Sequence, residues 1–224
     1  GVRLRNKLFD LGIYRSTKSN ITTISVGNIT VGGTGKTPHA EYILSLVSNK
    51  VNSAYLSRGY KRSTRGFRLA DENSNASTIG DEAYQIKRKF PNITVAVDAK
   101  RHNALKKLSN SKNPPKLVVL DDAYQHRELH PDLNILLIDY NRLTYQDSML
   151  PLGELREPSS NTDRADIIIF TKCPNTIMPV DMLSTRTQIR PFPYQTLYYT
   201  TLTYSDPKGL FTNKKLDLCG KEII

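Results

Sequence analysis

The chain contains no tryptophan and only two cysteines among its 224 residues. Cys173 and Cys219 stand far apart and fit no metal-ligand spacing, so the expectation is idle thiols in a reducing compartment rather than a disulfide framework or a zinc module. No uninterrupted apolar run approaches the roughly 20 residues that a spanning helix requires, so no segment reads as crossing a bilayer. Repeats and low-complexity tracts are also missing. Nor do aromatics alternate with cations in the manner of a base-stacking platform, which disfavours nucleic acid as the partner. What remains is a globular composition, 38% hydrophobic, long enough for one α/β core and part of a second unit. A formal charge of +11 and a pI near 9.6 call for an anionic partner: nucleotide, phosphorylated substrate, nucleic acid or a negatively charged lipid surface.

Short, continuous apolar runs recur at residues 21–26, 53–56, 93–97, 117–120, 133–138 and 167–170. Strands buried on both faces read this way, and the helical segments 39–47, 81–89 and 102–108 lie between them. The expected fold class is therefore α/β, a mostly parallel sheet flanked by helices, with ligands beyond the carboxyl ends of the strands. Residues 1–190 read as this domain. Beyond Pro191 the Tyr- and Thr-rich stretch 194–204 reads as an antiparallel strand, and 191–224 as linker strands leading into an incomplete second, smaller domain. Near the start, Leu4, Leu8 and Leu11 recur at helical spacing among Arg3, Arg5, Lys7 and Arg15. Residues 1–18 thus read either as a membrane-interface helix or as a surface helix packed on the core.

The run Gly27-Asn28-Ile29-Thr30-Val31-Gly32-Gly33-Thr34-Gly35-Lys36-Thr37 joins the first strand to the first of these helices. Glycines let successive backbone N–H groups turn toward a polyphosphate, a lysine reaches its outer phosphates and a hydroxyl can ligate Mg²⁺. Residues 30–37 are the expected phosphate loop of a P-loop NTPase-like fold, with Lys36 on the phosphates and Thr37 on the metal. Thr30 stands where the usual pattern has glycine, and Pro38 suits a first helical turn, which has no use for its N–H.

Asp121 and Asp122 end an apolar strand, the arrangement that puts a carboxylate beside the metal of a phosphate loop. Gln125 and His126 follow at once. Asp81 opens a helical stretch, where it serves either as a helix-dipole partner or as an acid that accepts a proton from an attacking hydroxyl. Arg156, in a Pro- and Gly-bounded loop, has the guanidinium suited to a transferring phosphoryl group. Arg58 and Tyr60, after another strand, form a loop that reads as holding an anionic substrate or as basic surface. Thr171-Lys172-Cys173-Pro174 lacks the aspartate that reads guanine, which favours adenine.

Taken in order, Gly27 through Pro38, Ser57-Arg58-Gly59-Tyr60, Gly80-Asp81-Glu82, Asp121 through His126 and Leu150-Pro151 through Pro158 resemble the tetraacyldisaccharide 4'-kinase family of Gram-negative bacteria. The resemblance implies transfer of the ATP γ-phosphate, with Mg²⁺, to the 4'-hydroxyl of an acylated disaccharide 1-phosphate. The setting would be the cytoplasmic face of the inner membrane, as a peripheral enzyme with no obligate protein partner. It also implies Lys36, Asp121, Arg156 and Asp81 as catalytic, Thr37, Asp121 and Asp122 as metal ligands, and Arg58, Tyr60, Gln125 and His126 as substrate residues. Ala123 and Ala83 stand where the family commonly has Gly and often Pro. The family's carboxyl-terminal Asp-His-His motif has no counterpart after Tyr204, and its amino-terminal amphipathic segment is mostly missing. The expectation is a fragment that binds nucleotide and turns over poorly. A P-loop switch or partner-binding ATPase that uses water as acceptor shares the same loop and acids.

Overall fold

In the computed structural model, which describes residues 2–203, the apolar runs become the strands of a mixed sheet. They are β1 (Thr22–Gly27), β2 (Ser53–Ser57), β3 (Arg68–Leu69), β4 (Thr94–Val97), β5 (Leu117–Asp121), β6 (Leu133–Asp139), β7 (Ile167–Thr171) and β8 (Thr196–Tyr199), in the order β3-β4-β2-β5-β1-β6-β7-β8. Every pair is parallel except β3 with β4. The helices are α1 (Val2–Asp10), α2 (Lys36–Val47), α3 (Ala76–Ile79), α4 (Asp81–Lys89), α5 (Arg101–Ser109) and α6 (Pro179–Ile189).

Burial explains why the central strands carry no polar alternation. All five residues of β2 are buried, as are the last six of β6. On one face Val26, Tyr55, Val119 and Leu137 pack with Ala40 and Leu44 of α2 and Ala83 and Ile86 of α4. On the other, Ala54, Leu56, Val118 and Leu120 meet Ala104, Leu105 and Leu108 of α5. A third cluster, including Ile29, Tyr124, Leu136, Leu155 and Phe170, lies beneath the loops that follow β1 and precede β7. Each buried leucine of this kind stabilises the fold by about 2–5 kcal/mol relative to alanine.

Two sequence expectations are corrected. The Tyr- and Thr-rich stretch forms β8, which runs parallel to β7 and not antiparallel, because α6 carries the chain back across the sheet. The alternating burial of β8 reports that it is an edge strand with one covered face, and this pattern says nothing about direction. The sheet therefore continues past Pro191 to Tyr199. The expected beginning of a second domain lies largely in residues 204–224, outside the described residues. Helix α6 itself gave no periodic signal, since only Thr185 is buried in it while Val180 and Leu183 are exposed.

Candidate nucleotide-binding and phosphoryl-transfer site

Strand register sets the site. Val26 pairs with Asp121, so the start of the phosphate loop and the acid that ends β5 emerge side by side at the carboxyl edge of the sheet. Tyr55 pairs with Val119, and Asp121 is two residues further along β5, on the same face. That face is the one covered by α2 and α4.

The loop after Gly27 is fixed from outside and from within. Asn28 is fully buried and its amide donates to Thr34 Oγ1 at 2.8 Å and to Thr30 Oγ1 at 3.3 Å, while its Oδ1 accepts from Arg156. Thr30 keeps a negative φ and bridges Leu155, so the position that usually holds glycine here supplies a side-chain acceptor and a backbone pair. Val31 N donates to Glu154 O at 2.8 Å and Arg156 N to Ile29 O at 2.7 Å. Arg142 donates to Val31 O at 2.6 Å and ion-pairs with Glu154. Gly35 has φ 82 at the N-cap of α2, a left-handed conformation that favours a residue without Cβ. Helix α2 therefore starts at Lys36, which leaves its first N–H groups and its positive end facing the loop, an anion site by construction.

Three charges converge in front of it. Asp122, at φ 47, receives Arg156 Nη2 at 3.0 Å and Nη1 at 3.4 Å, and Lys36 Nζ lies 3.7 Å from the same carboxylate. Burial alone would raise the Asp122 carboxyl, but the Arg156 hydrogen bond and the Lys36 charge outweigh it and hold the group below the usual carboxylate range. In this state Asp122 occupies the two cations that a polyphosphate would engage.

Asp121 is in the opposite condition. Burial pushes its carboxyl up to about 6, opposed by the hydrogen bond from Tyr55 and the Lys36 charge and reinforced by Glu82 and Asp122. The Tyr55 hydroxyl donates to Oδ2 at 2.6 Å, while Oδ1 is buried with no partner. An orphaned carboxylate oxygen beside a phosphate loop is a donor waiting for a hard cation. Among the described residues no group of three or more His, Cys, Asp or Glu side chains gathers as a self-sufficient metal cage. A cation shared with phosphate needs only one or two carboxylates, so the donor set fits that kind of site.

Behind Asp121, buried Arg101 donates to Asp121 O at 3.0 Å and Asp98 O at 2.6 Å, and burial draws its pKa down to about 10. His126 is half-buried; burial and the Arg101 charge hold it down to about 4, neutral at physiological pH. Gln125 donates to Asn28 O at 2.6 Å, and so braces the loop from behind. Arg58, Tyr60 and Asp81 stand exposed at the rim. Their two turns touch through backbone: Gly80 has φ 89, and a Cβ there would sit 2.8 Å from Tyr60 O. In the Gly80-Asp81-Glu82 run it is Glu82 whose charge falls on Asp121 and Tyr55. Lys172 ion-pairs with Asp139 at 2.7 Å.

Known proteins match this chain in sequence and in fold. A family model described as "LpxK: Tetraacyldisaccharide-1-P 4'-kinase" matches residues 1–212. The chain belongs to this family. A tetraacyldisaccharide 4'-kinase from Phocaeicola vulgatus is 52% identical over 214 residues, covering 95% of this chain and 58% of the relative. One from Parabacteroides distasonis is 50% identical over 216 residues, covering 96% and 58%. The crystal structure of LpxK from Aquifex aeolicus in complex with ATP superposes with a TM-score of 0.69 at 36% identity, covering 75% of this chain and 54% of that one. The fold is thus shared with an ATP-bound member of the family, and the chain spans 58% of the length of these two curated relatives.

The structure brings residues 30–37, Asp121, Asp122 and Arg156 together, sets Gln125 behind them, and leaves Arg58, Tyr60 and Asp81 on the rim. Sequence reasoning missed the polar hub at Asn28, the Tyr55 and Arg101 contacts to Asp121, and the clamp by Arg142. Asn28 had a signal, an amide fixed between a strand and a glycine-rich loop. Tyr55 and Arg101 had none beyond a hydroxyl in an apolar strand and a cation just ahead of an expected helical segment.

Proposed function

We propose that this chain forms the nucleotide-binding part of an ATP-dependent kinase acting on the 4'-hydroxyl of a tetraacyldisaccharide 1-phosphate. The observation that carries the reading is the convergence of Lys36 and Arg156 on Asp122 beside the orphaned Asp121 oxygen. The loop N–H groups and the α2 N-terminus bind the triphosphate, and Lys36 and Arg156 move from Asp122 to the phosphoryl oxygens, where charge develops in transfer. Thr37 and Asp121, with Asp122 once freed, would hold Mg²⁺, which would supply charge neutralisation for the phosphates. Asp81 takes the proton of the sugar hydroxyl, and Arg58 and Tyr60, with Gln125 and His126 behind them, position the anionic disaccharide. We read the acceptor side as completed by a second, smaller domain. No helix among the described residues is long and apolar enough to cross a membrane. We read the enzyme as peripheral on the cytoplasmic face of the inner membrane, with α1 lying in an anionic lipid surface.

The test is label transfer from γ-labelled ATP to the acylated disaccharide, by the 224-residue chain and by a version extended to the length of its relatives. The extended version should label the lipid and consume ATP only when acceptor is present, while the shorter chain binds ATP and transfers little. Equal ATP hydrolysis with and without acceptor would favour a P-loop switch that uses water.

A further inference from the structure

We propose that the loop carrying Leu150, Pro151 and Leu152 is a second bilayer-contacting element, continuous with α1, so that an anionic lipid surface meets the protein at two rigidly linked points next to the phosphate loop. The proposal rests on the reading of α1 as a lipid-surface helix and extends it to a loop of different origin.

Leu152 is 91% exposed and Leu150 53% exposed, a large outlay of apolar surface for a loop beside a charged site. The loop is not loose. Leu150 N donates to Leu155 O at 2.9 Å, Gly153 N to Met149 O at 3.3 Å, and the Asp147 carboxylate accepts from Ser148 N at 2.7 Å and Glu154 N at 3.2 Å. These backbone groups are already satisfied internally, which removes their share of the cost of entering a lipid interface. Leu155, at the base of the loop, bridges Thr30 of the phosphate loop. A surface held by Leu152 is therefore held against the nucleotide pocket itself.

The loop also joins α1. Val2 lines the same surface groove as Leu150, Pro151, Leu152 and Leu155. Helix α1 is docked through polar groups: Arg5 reaches Glu157 and Gln125 O, both at 3.3 Å, Asn6 is buried, and Arg127 bonds Asn6 O at 3.0 Å and Asp10 at 2.6 Å. Leu4 of the helix and Leu11 just past its end are left outward, 64% and 63% exposed, with Lys7 exposed between them at helical spacing, while Leu8 is half-buried. Ile13, 62% exposed, extends the apolar strip, and Arg15 and Lys18 are exposed beyond it. Leucines interleaved with cations complement an anionic bilayer better than an apolar protein face.

The absence of tryptophan makes the test clean. Leu152→Trp, Leu4→Trp and Leu69→Trp, the last on β3 at the opposite side of the sheet from β8, each introduce one indole. They are mixed with phosphatidylglycerol/phosphatidylethanolamine vesicles carrying brominated acyl chains. The expected result is a blue shift and bromine quenching for Leu152→Trp and Leu4→Trp and neither for Leu69→Trp, with Leu152→Asp lowering vesicle partitioning by about tenfold and ATP affinity unchanged. Quenching at Leu4→Trp alone would overturn the loop contact and leave the α1 reading standing. Quenching at neither would overturn both. A blue shift of Leu152→Trp that depends on protein concentration without vesicles would overturn the proposal in favour of a second copy of the chain. Label transfer to the disaccharide is measured separately, so loss of the kinase reading stays distinguishable from loss of the lipid contact.

Discussion

Around Asn28 and Asp122, side chains from the phosphate loop, the turn after β5 and the segment before β7 interlock. Arg58, Tyr60 and Asp81 instead stand exposed on two turns joined mainly by backbone. The phosphate end is assembled in advance, and its cations are already held in place by Asp122. The rim's two turns are tied together through backbone, but the side chains of Arg58, Tyr60 and Asp81 stay exposed. If the proposed reaction holds, preorganisation is spent at the phosphate end, and the rim is left to be ordered by what binds there.

The sharpest challenge to this contrast is Lys36→Ala. It should weaken ATP binding by at least tenfold and reduce label transfer by on the order of 10²–10³, measured by calorimetry and by product counting. A smaller loss than that from any rim substitution would invert the comparison.

Next in size is Asp121→Asn, which should lower metal-dependent transfer by about 10²-fold while stabilising the fold. Its folded pKa, about 6, lies above the ordinary carboxyl value, so the native state binds more protons than the unfolded state and wild-type stability falls as pH rises from about 4 to 6. The variant lacks this loss and should be more stable at pH 7 by about 1–3 kcal/mol, with the difference vanishing near pH 4 in denaturant titrations. His126 acts in the reverse sense: held down to about 4, it makes stability rise with pH up to the unfolded value, and it does so in both proteins. Subtracting the two curves therefore isolates Asp121.

At the rim, Arg58→Ala should raise KM for the disaccharide about three- to tenfold and leave KM for ATP alone. An equal effect on both substrates would mean that the rim and the phosphate end are one site. The mildest test is Tyr55→Phe. Removing the hydroxyl that fixes Asp121 Oδ2 should leave metal-free ATP binding unchanged and weaken Mg²⁺ dependence of binding about three- to tenfold.

Much of the fold was legible because the central strands are buried on both faces and bounded by glycine, proline and acids. The phosphate loop was legible because glycines, lysine and threonine sit at spacings the chemistry dictates. The direction of β8 was not, since edge-strand alternation is the same either way. Helix α6 was hidden because it buries almost nothing. Asn28, Tyr55 and Arg101 each meet a group 20 to 128 positions away, and no local pattern encodes which distant group a side chain will meet. The exposure of Leu152 was equally unreadable, because a leucine between proline and glycine looks the same whether it packs inward or points to lipid.

The contact between the Tyr60 turn and Gly80 has a mechanical corollary. With Tyr60 O where a Cβ would fall, and with Thr64 Oγ1 donating to Thr78 O at 2.6 Å, the two turns lack the slack to slide independently. A displacement of the Tyr60 turn is passed to the start of α4, and Glu82 rides on that start with its charge falling on Asp121. On the proposed reading, the strand-end turns would work as a lever that joins the acceptor side to the Asp121 carboxylate.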